Sequence, residues 1–190
     1  MEKLKEKICN RIWNTKKIRM CSEARLLFLD KRNLILNVYY SLFILVFSVL
    51  AYVKKDSFRI IGIEDPDLLL LVSSIILFTF SIYSYSHSFK ERADRMKKCY
   101  TELSKLEVES EAAESISSEK ITEINNKYQE ILNNYENQLE EDYLKTKASK
   151  NFEEWLKYIC YLFKFYLFNI VYFLLPFLIT YILTILLKNN

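Results

Sequence analysis

The run LILNVYYSLFILVFSVLAYV, Leu34–Val53, decides what kind of protein this chain is. It has no Asp, Glu, Lys or Arg, no Pro and no Gly. Two further runs share that absence of charge: Leu68–Ser86, LLLLVSSIILFTFSIYSYS, and Phe165–Leu187, FYLFNIVYFLLPFLITYILTILL. All 27 basic and 24 acidic residues of the 190-residue chain lie outside them. A helix rises about 1.5 Å per residue, so each run covers about 28–35 Å, enough for a hydrocarbon core of about 30 Å. In lipid every backbone N–H and C=O must be satisfied within the segment, which makes these runs transmembrane helices. The competing reading is a large soluble domain with three buried helices, and the scarcity of polar surface on the runs speaks against it. Mean hydropathy near zero and a net charge of +3 hide this segregation.

Composition excludes several function classes. Gly62 is the only glycine, so neither a phosphate-binding loop nor a dinucleotide-binding turn can be built. One His and four scattered Cys leave no metal site, and no cofactor is expected. His87 beside Ser88 lacks an acid, an orienting group and an oxyanion site, so catalysis is not expected of them. Glu140, Glu141 and Asp142 are consecutive, do not converge on one face, and read as a solvated surface.

Charge flanking the runs predicts orientation. Residues 1–33 carry ten basic and four acidic residues, and Lys90, Arg92, Arg95, Lys97 and Lys98 follow the second run. The loop 54–67 has three basic and four acidic residues. Positively charged flanks stay inside, so the expectation is an inner-membrane, multi-pass protein with a cytoplasmic N-terminus. The first run is too long for a signal-peptide core and lacks a small-residue cleavage site, which makes it a retained anchor. Cys9, Cys21 and Cys99 then face reducing cytosol, Cys160 the membrane edge, and no disulfide framework is expected.

Four segments follow: a cytosolic basic amphipathic helix (1–33), a two-span hairpin (34–86), a cytosolic helical hairpin (87–157) and a third span (158–190). The fold class is an all-α membrane protein, a transmembrane bundle with a cytosolic α-helical hairpin or coiled coil. Phe89, Met96, Cys99, Leu103 and Leu106 share one helical stripe. Residues 110–118 read as the turn, with Ser117 or Ser118 capping the next helix. A second stripe runs through Ile121, Ile124, Tyr128, Ile131, Leu132, Tyr135, Leu139 and Tyr143. Met96, Leu103, Leu106, Ile124, Tyr128 and Tyr135 are the expected packing residues, either within one hairpin or between subunits. Leu4, Ile8, Ile12 and Trp13 form an apolar edge suited either to lipid or to this hairpin. The 13 basic and 16 acidic residues of 87–164 nearly balance, so no direct nucleic-acid binding is expected.

Within the runs, polar residues fall on one side. Asn37, Ser41 and Ser48 lie within about 40° on the first helix. Ser73, Ser74, Ser81, Ser84 and Ser88 share a stripe of about 100° on the second; Asn169, Pro176, Thr180 and Thr184 fall within about 80° on the third. Such stripes either pack helices together or line a wet path in an oligomer. The residues singled out are Asn37, Ser41, Ser48, Ser74, Ser81 and Ser84. No charge lies inside a span, so a proton relay or charged filter is not supported.

The order of parts and three motifs carry a family resemblance. They are Arg92-Ala93-Asp94-Arg95-Met96-Lys97-Lys98-Cys99-Tyr100-Thr101-Glu102-Leu103 with Leu106, then Lys127-Tyr128-Gln129-Glu130-Ile131-Leu132, then Tyr135-Glu136-Asn137-Gln138 with Asp142. Over about residues 1–150 the chain resembles the SLATT family, two-transmembrane effector domains associated with bacterial nucleotide-sensing and nucleotide-synthesising defence systems. The resemblance implies a homo-oligomeric membrane effector without catalytic residues. It would form a pore or disrupt the bilayer when released by a partner, a nucleotidyltransferase or a reverse transcriptase, during phage infection. Two departures stand out: Asn137-Gln138 where members often have Asn-His, and a third span beyond the two-span core. The alternative of another class is a non-conducting scaffold whose hairpin recruits a soluble partner.

Overall fold

The computed structural model describes residues 2–53, 66–112, 118–137, 139–148 and 151–188. Those residues form six helices and no strand: α1 Glu2–Val53, α2 Pro66–Ser86, α3 Phe89–Ala112, α4 Ser118–Asn133, α5 Glu140–Lys147 and α6 Phe152–Lys188. α1 is one helix of 52 residues, with no Pro or Gly to interrupt it. The helices group into two compact units, Met1–Asp30 with Phe89–Leu162 and Lys31–Ser88 with Phe163–Asn190.

The first unit is charged. Its core joins Ile12 of α1, Cys99, Leu103 and Leu106 of α3, and Ile124 and Tyr128 of α4; Ile8, Ile131, Leu132 and Tyr135 pack against it. The apolar edge of the N-terminal helix is thus used on the hairpin through Ile8 and Ile12, whereas Leu4 and Trp13 stay about half exposed. A separate cluster joins Leu26 of α1 to Ala93 and Met96 of α3, with Phe89 beside it.

Several expectations are corrected here. Met96 packs on α1 and not across the hairpin. α3 continues to Ala112, so Ser110 is helical and buried; its Oγ donates to the Glu107 carbonyl at 2.7 Å and lies 3.2 Å from Cys9 Sγ. The rest of the expected turn, residues 113–117, lies outside the described residues. The second stripe ends with α4 at Asn133: Tyr135 lies beyond it, and Leu139 and Tyr143 are more than two-fifths exposed.

The second unit is apolar and carries its large side chains outward. Leu42, Phe78 and Phe168 are each more than half exposed. Three helices are long and apolar enough to cross a membrane, and an outward hydrocarbon surface of this kind suits lipid and no aqueous core. The chain is an all-α membrane protein. Asn37–Ser81 and Tyr40–Phe80 contacts set α2 antiparallel to α1. Tyr39–Phe173 and Phe43–Phe177 set α6 parallel to it. At the end of α2, Ser88 takes a left-handed φ of 43°, and its N–H donates to the Tyr85 carbonyl at 3.1 Å. His87 is folded back on its own helix, its Nδ1 2.9 Å from the Tyr83 carbonyl and its ring against Tyr83. The loop 54–65 lies outside the described residues.

Candidate functional site

The polar side of the spans divides. Asn37, Ser81 and Ser84 are partly buried, whereas Ser41, Ser48 and Ser74 are exposed on the surface of the unit. Ser81 Oγ donates to Asn37 Oδ1 at 2.8 Å, a direct bond between α2 and α1. Ser41 and Ser74 return their hydroxyl protons to carbonyls of their own helices, Asn37 at 2.8 Å and Leu71 at 2.8 Å. Such back-bonding lets a hydroxyl face lipid at small cost. Ser84 Oγ is buried and has no hydrogen-bond partner. In the third span Asn169 Nδ2 donates to the Phe165 carbonyl at 2.7 Å. The side chains of Thr180 and Thr184 lie outside the described residues.

Pro176 sits inside α6. Without an N–H it leaves the carbonyl four residues back, that of Tyr172, without its helical donor. Tyr40 of α1 fills the place, donating its phenolic proton to that carbonyl at 2.5 Å. Tyr39 donates to the next carbonyl, Phe173, at 3.2 Å. A freed backbone group at membrane depth is tolerated when a neighbouring helix satisfies it, and here Tyr40 does so while Tyr39 adds a second bond beside it.

The charged unit holds a second polar constellation that pattern reading missed. Asp142, expected at a solvated face, is only 3% exposed. Its carboxylate accepts from Arg25 Nε at 2.8 Å and Nη2 at 3.0 Å, and from Ser22 Oγ at 2.7 Å. It also accepts the Leu139 N–H at 3.4 Å, capping α5. Burial works most strongly against the charge of Arg25, but the hydrogen bond to Asp142 and the negative charge of that carboxylate, with Tyr161 and Glu141 adding to them, together hold the guanidinium above its ordinary value. One turn earlier the buried Arg19 donates through Nη1 to the Glu136 carbonyl, and the carboxylate of Glu136 meets Arg92 Nε at 3.0 Å. Tyr135 OH donates to Glu102 at 2.8 Å. The segment between α4 and α5 is therefore fastened to α1 and α3 by side chains. The available signal was that Arg19, Ser22 and Leu26 share the α1 face of Ile8 and Ile12. A hydrophobic count discards the two polar members.

The buried thiol of Cys99 is pushed up by desolvation, which makes it a packing residue and a poor nucleophile. Among the described residues no group of three or more His, Cys, Asp or Glu converges as a metal site would need. The arrangement offers helix-to-helix bonding and an apolar exterior.

No curated protein and no solved structure matches the chain significantly. The profile of one family does, over residues 1–183: SMODS and SLOG-associating 2TM effector domain family 5. The match extends well past the residue 150 expected from the motifs, to residue 183, and so takes in most of α6, the third apolar helix. The chain belongs to the SLATT effector family, as a member of its family 5.

Proposed function

We propose that this protein is the membrane effector of a bacterial anti-phage defence system, acting by abortive infection. It assembles into homo-oligomers in the inner membrane and forms a pore or disrupts the bilayer when a signalling partner triggers it. The observation that carries this reading is membership, over nearly the whole chain, of a family described as effector domains that associate with SMODS and SLOG. Basic flanks at residues 1–33 and 90–98 support a cytoplasmic N-terminus and a cytoplasmic charged unit. That unit receives the signal, from a nucleotidyltransferase or a reverse transcriptase. Spans without charged residues support a weakly selective path lined by hydroxyls and amides, and a role that is not enzymatic.

The test is induction of the full chain in bacteria carrying a membrane-potential dye. Depolarisation that precedes loss of viability supports the effector. A polarised membrane with a co-purifying soluble protein supports the second reading, a non-conducting scaffold. The Asn37–Ser81 bond favours that scaffold, because it satisfies within one subunit two of the groups a wet path would use.

A further inference from the structure

We propose that the apolar unit holds one anionic phospholipid, its phosphate on Arg32 and one acyl chain in a cavity between the three spans. Arg32 is partly buried just before the first charge-free run, and among the described residues no carboxylate pairs with it. Its neighbours are neutral acceptors: Nη1 donates to Asn169 Oδ1 at 3.3 Å, while Nη2 at 3.1 Å and Nε at 3.4 Å donate to Asn33 Oδ1. The guanidinium carbon lies 5.6 Å from the centre of the Tyr172 ring. Of the five N–H donors of an arginine, these bonds use three, leaving one on each terminal nitrogen. Two such free donors on one cation suit the oxygens of a phosphate.

Below this point lies a partly open cavity of about 100 Å³, lined by Tyr40, Phe43, Ser73, Leu77, Tyr172 and Pro176 among others. Its lining is almost wholly apolar, and its size admits several methylene groups of one chain but no headgroup. Tyr40 to Ile44 lie about 12–18 Å from Arg32 along the helix, the depth of one leaflet's acyl region in a core of about 30 Å. Tyr172 belongs to both places, beside the guanidinium and in the cavity wall. The Asn37–Ser81 register sets Ser84, whose buried hydroxyl has no partner, near the level of Asn33, where a headgroup oxygen would supply one. Charge, polar depth and apolar depth are thus ordered as in a phospholipid. A free phosphate would leave the cavity unused, and a neutral lipid would leave the cation unmatched.

The proposal is tested on the full chain in maltoside micelles, titrated with dioleoyl phosphatidylglycerol, dioleoyl phosphatidylcholine or inorganic phosphate. Thermal unfolding and native mass spectrometry are the readouts. Phosphatidylglycerol is expected to be retained one per chain and to raise the midpoint by several degrees, with the other two clearly weaker. Arg32→Gln is expected to weaken that binding by about tenfold or more. Ser73→Phe, which fills the cavity and leaves Arg32 in place, is expected to weaken it as well. Equal binding of the two lipids, or of inorganic phosphate, overturns the proposal. So does undiminished phosphatidylglycerol binding by either variant; should Arg32→Gln fail to insert, the Ser73→Phe result decides.

Discussion

Tyr40 and Tyr172 are joined by a hydrogen bond that a third residue makes necessary. The Tyr172 carbonyl would normally accept from the N–H at position 176, and Pro176 has none. The phenol of Tyr40 donates instead, at 2.5 Å, so a defect in one span becomes an attachment point for another. Tyr40→Phe is expected to weaken the docking of α6 on α1 by about 1–2 kcal/mol. In a Pro176→Ala background, where the helix regains its own donor, the same change is expected to cost almost nothing. A double-mutant cycle by unfolding in detergent measures the difference, and equal costs in both backgrounds would falsify the substitution of one donor for the other.

The Arg25–Asp142 pair governs a different attachment. Asp142 is nearly inaccessible and Arg25 largely so, which leaves little solvent to screen a lone charge. Asp142→Ala strands the guanidinium, removes the acceptor of Ser22 and uncaps α5. The expected destabilisation is about 3 kcal/mol. Replacing both partners by apolar residues of similar volume, Arg25→Met with Asp142→Leu, is expected to recover most of it. Melting curves of the three variants in detergent check this; a double variant no better than Asp142→Ala alone assigns the loss to Ser22 and the cap.

Alkaline pH probes the segment between α4 and α5. Burial, and then the hydrogen bond to Glu102, push the Tyr135 hydroxyl from 10 up to about 12. The folded chain therefore keeps this proton where the unfolded chain has lost it. The contribution is complete below pH 10 and disappears as pH rises from 10 to 12. Tyr135→Phe is expected to show a shallower fall of unfolding midpoint across that window than the parent chain. Parallel curves for the two would remove Tyr135 from the linkage.

Function is probed most directly at Ser81 and Ser84, two partly buried hydroxyls of α2. Replacing both with Leu is expected to abolish toxicity and depolarisation on induction while membrane insertion persists. Depolarisation at the parental rate in a well-expressed double variant would confine these hydroxyls to packing.

The membrane character of the chain was legible because charge is excluded from long runs, a signal that survives any detail of packing. The hairpin cores were legible too: Leu103, Leu106, Ile124 and Tyr128 repeat at helical spacing and are buried. Where the second stripe stops was not. Tyr135, Leu139 and Tyr143 keep the period, yet Arg19 and Arg92 hold Glu136 in a non-helical segment, and tertiary bonds prevail over local pattern. Asp142 was misread for the same reason, since its partners Ser22 and Arg25 stand some 120 residues away in sequence. Six polar residues in the spans were legible as a stripe. Their division into an inward set and an outward set depends on which neighbour each helix meets, and periodicity is silent on that.

Finally, α1 contains no helix-breaking residue. From Glu2 to Val53 each peptide is locked to the one four places on, and no proline, glycine or break offers slack. Along its lipid-facing stretch, Leu34 to Val53, no ring or missing N–H leaves a carbonyl bare, so the backbone there gives water no foothold in the hydrocarbon.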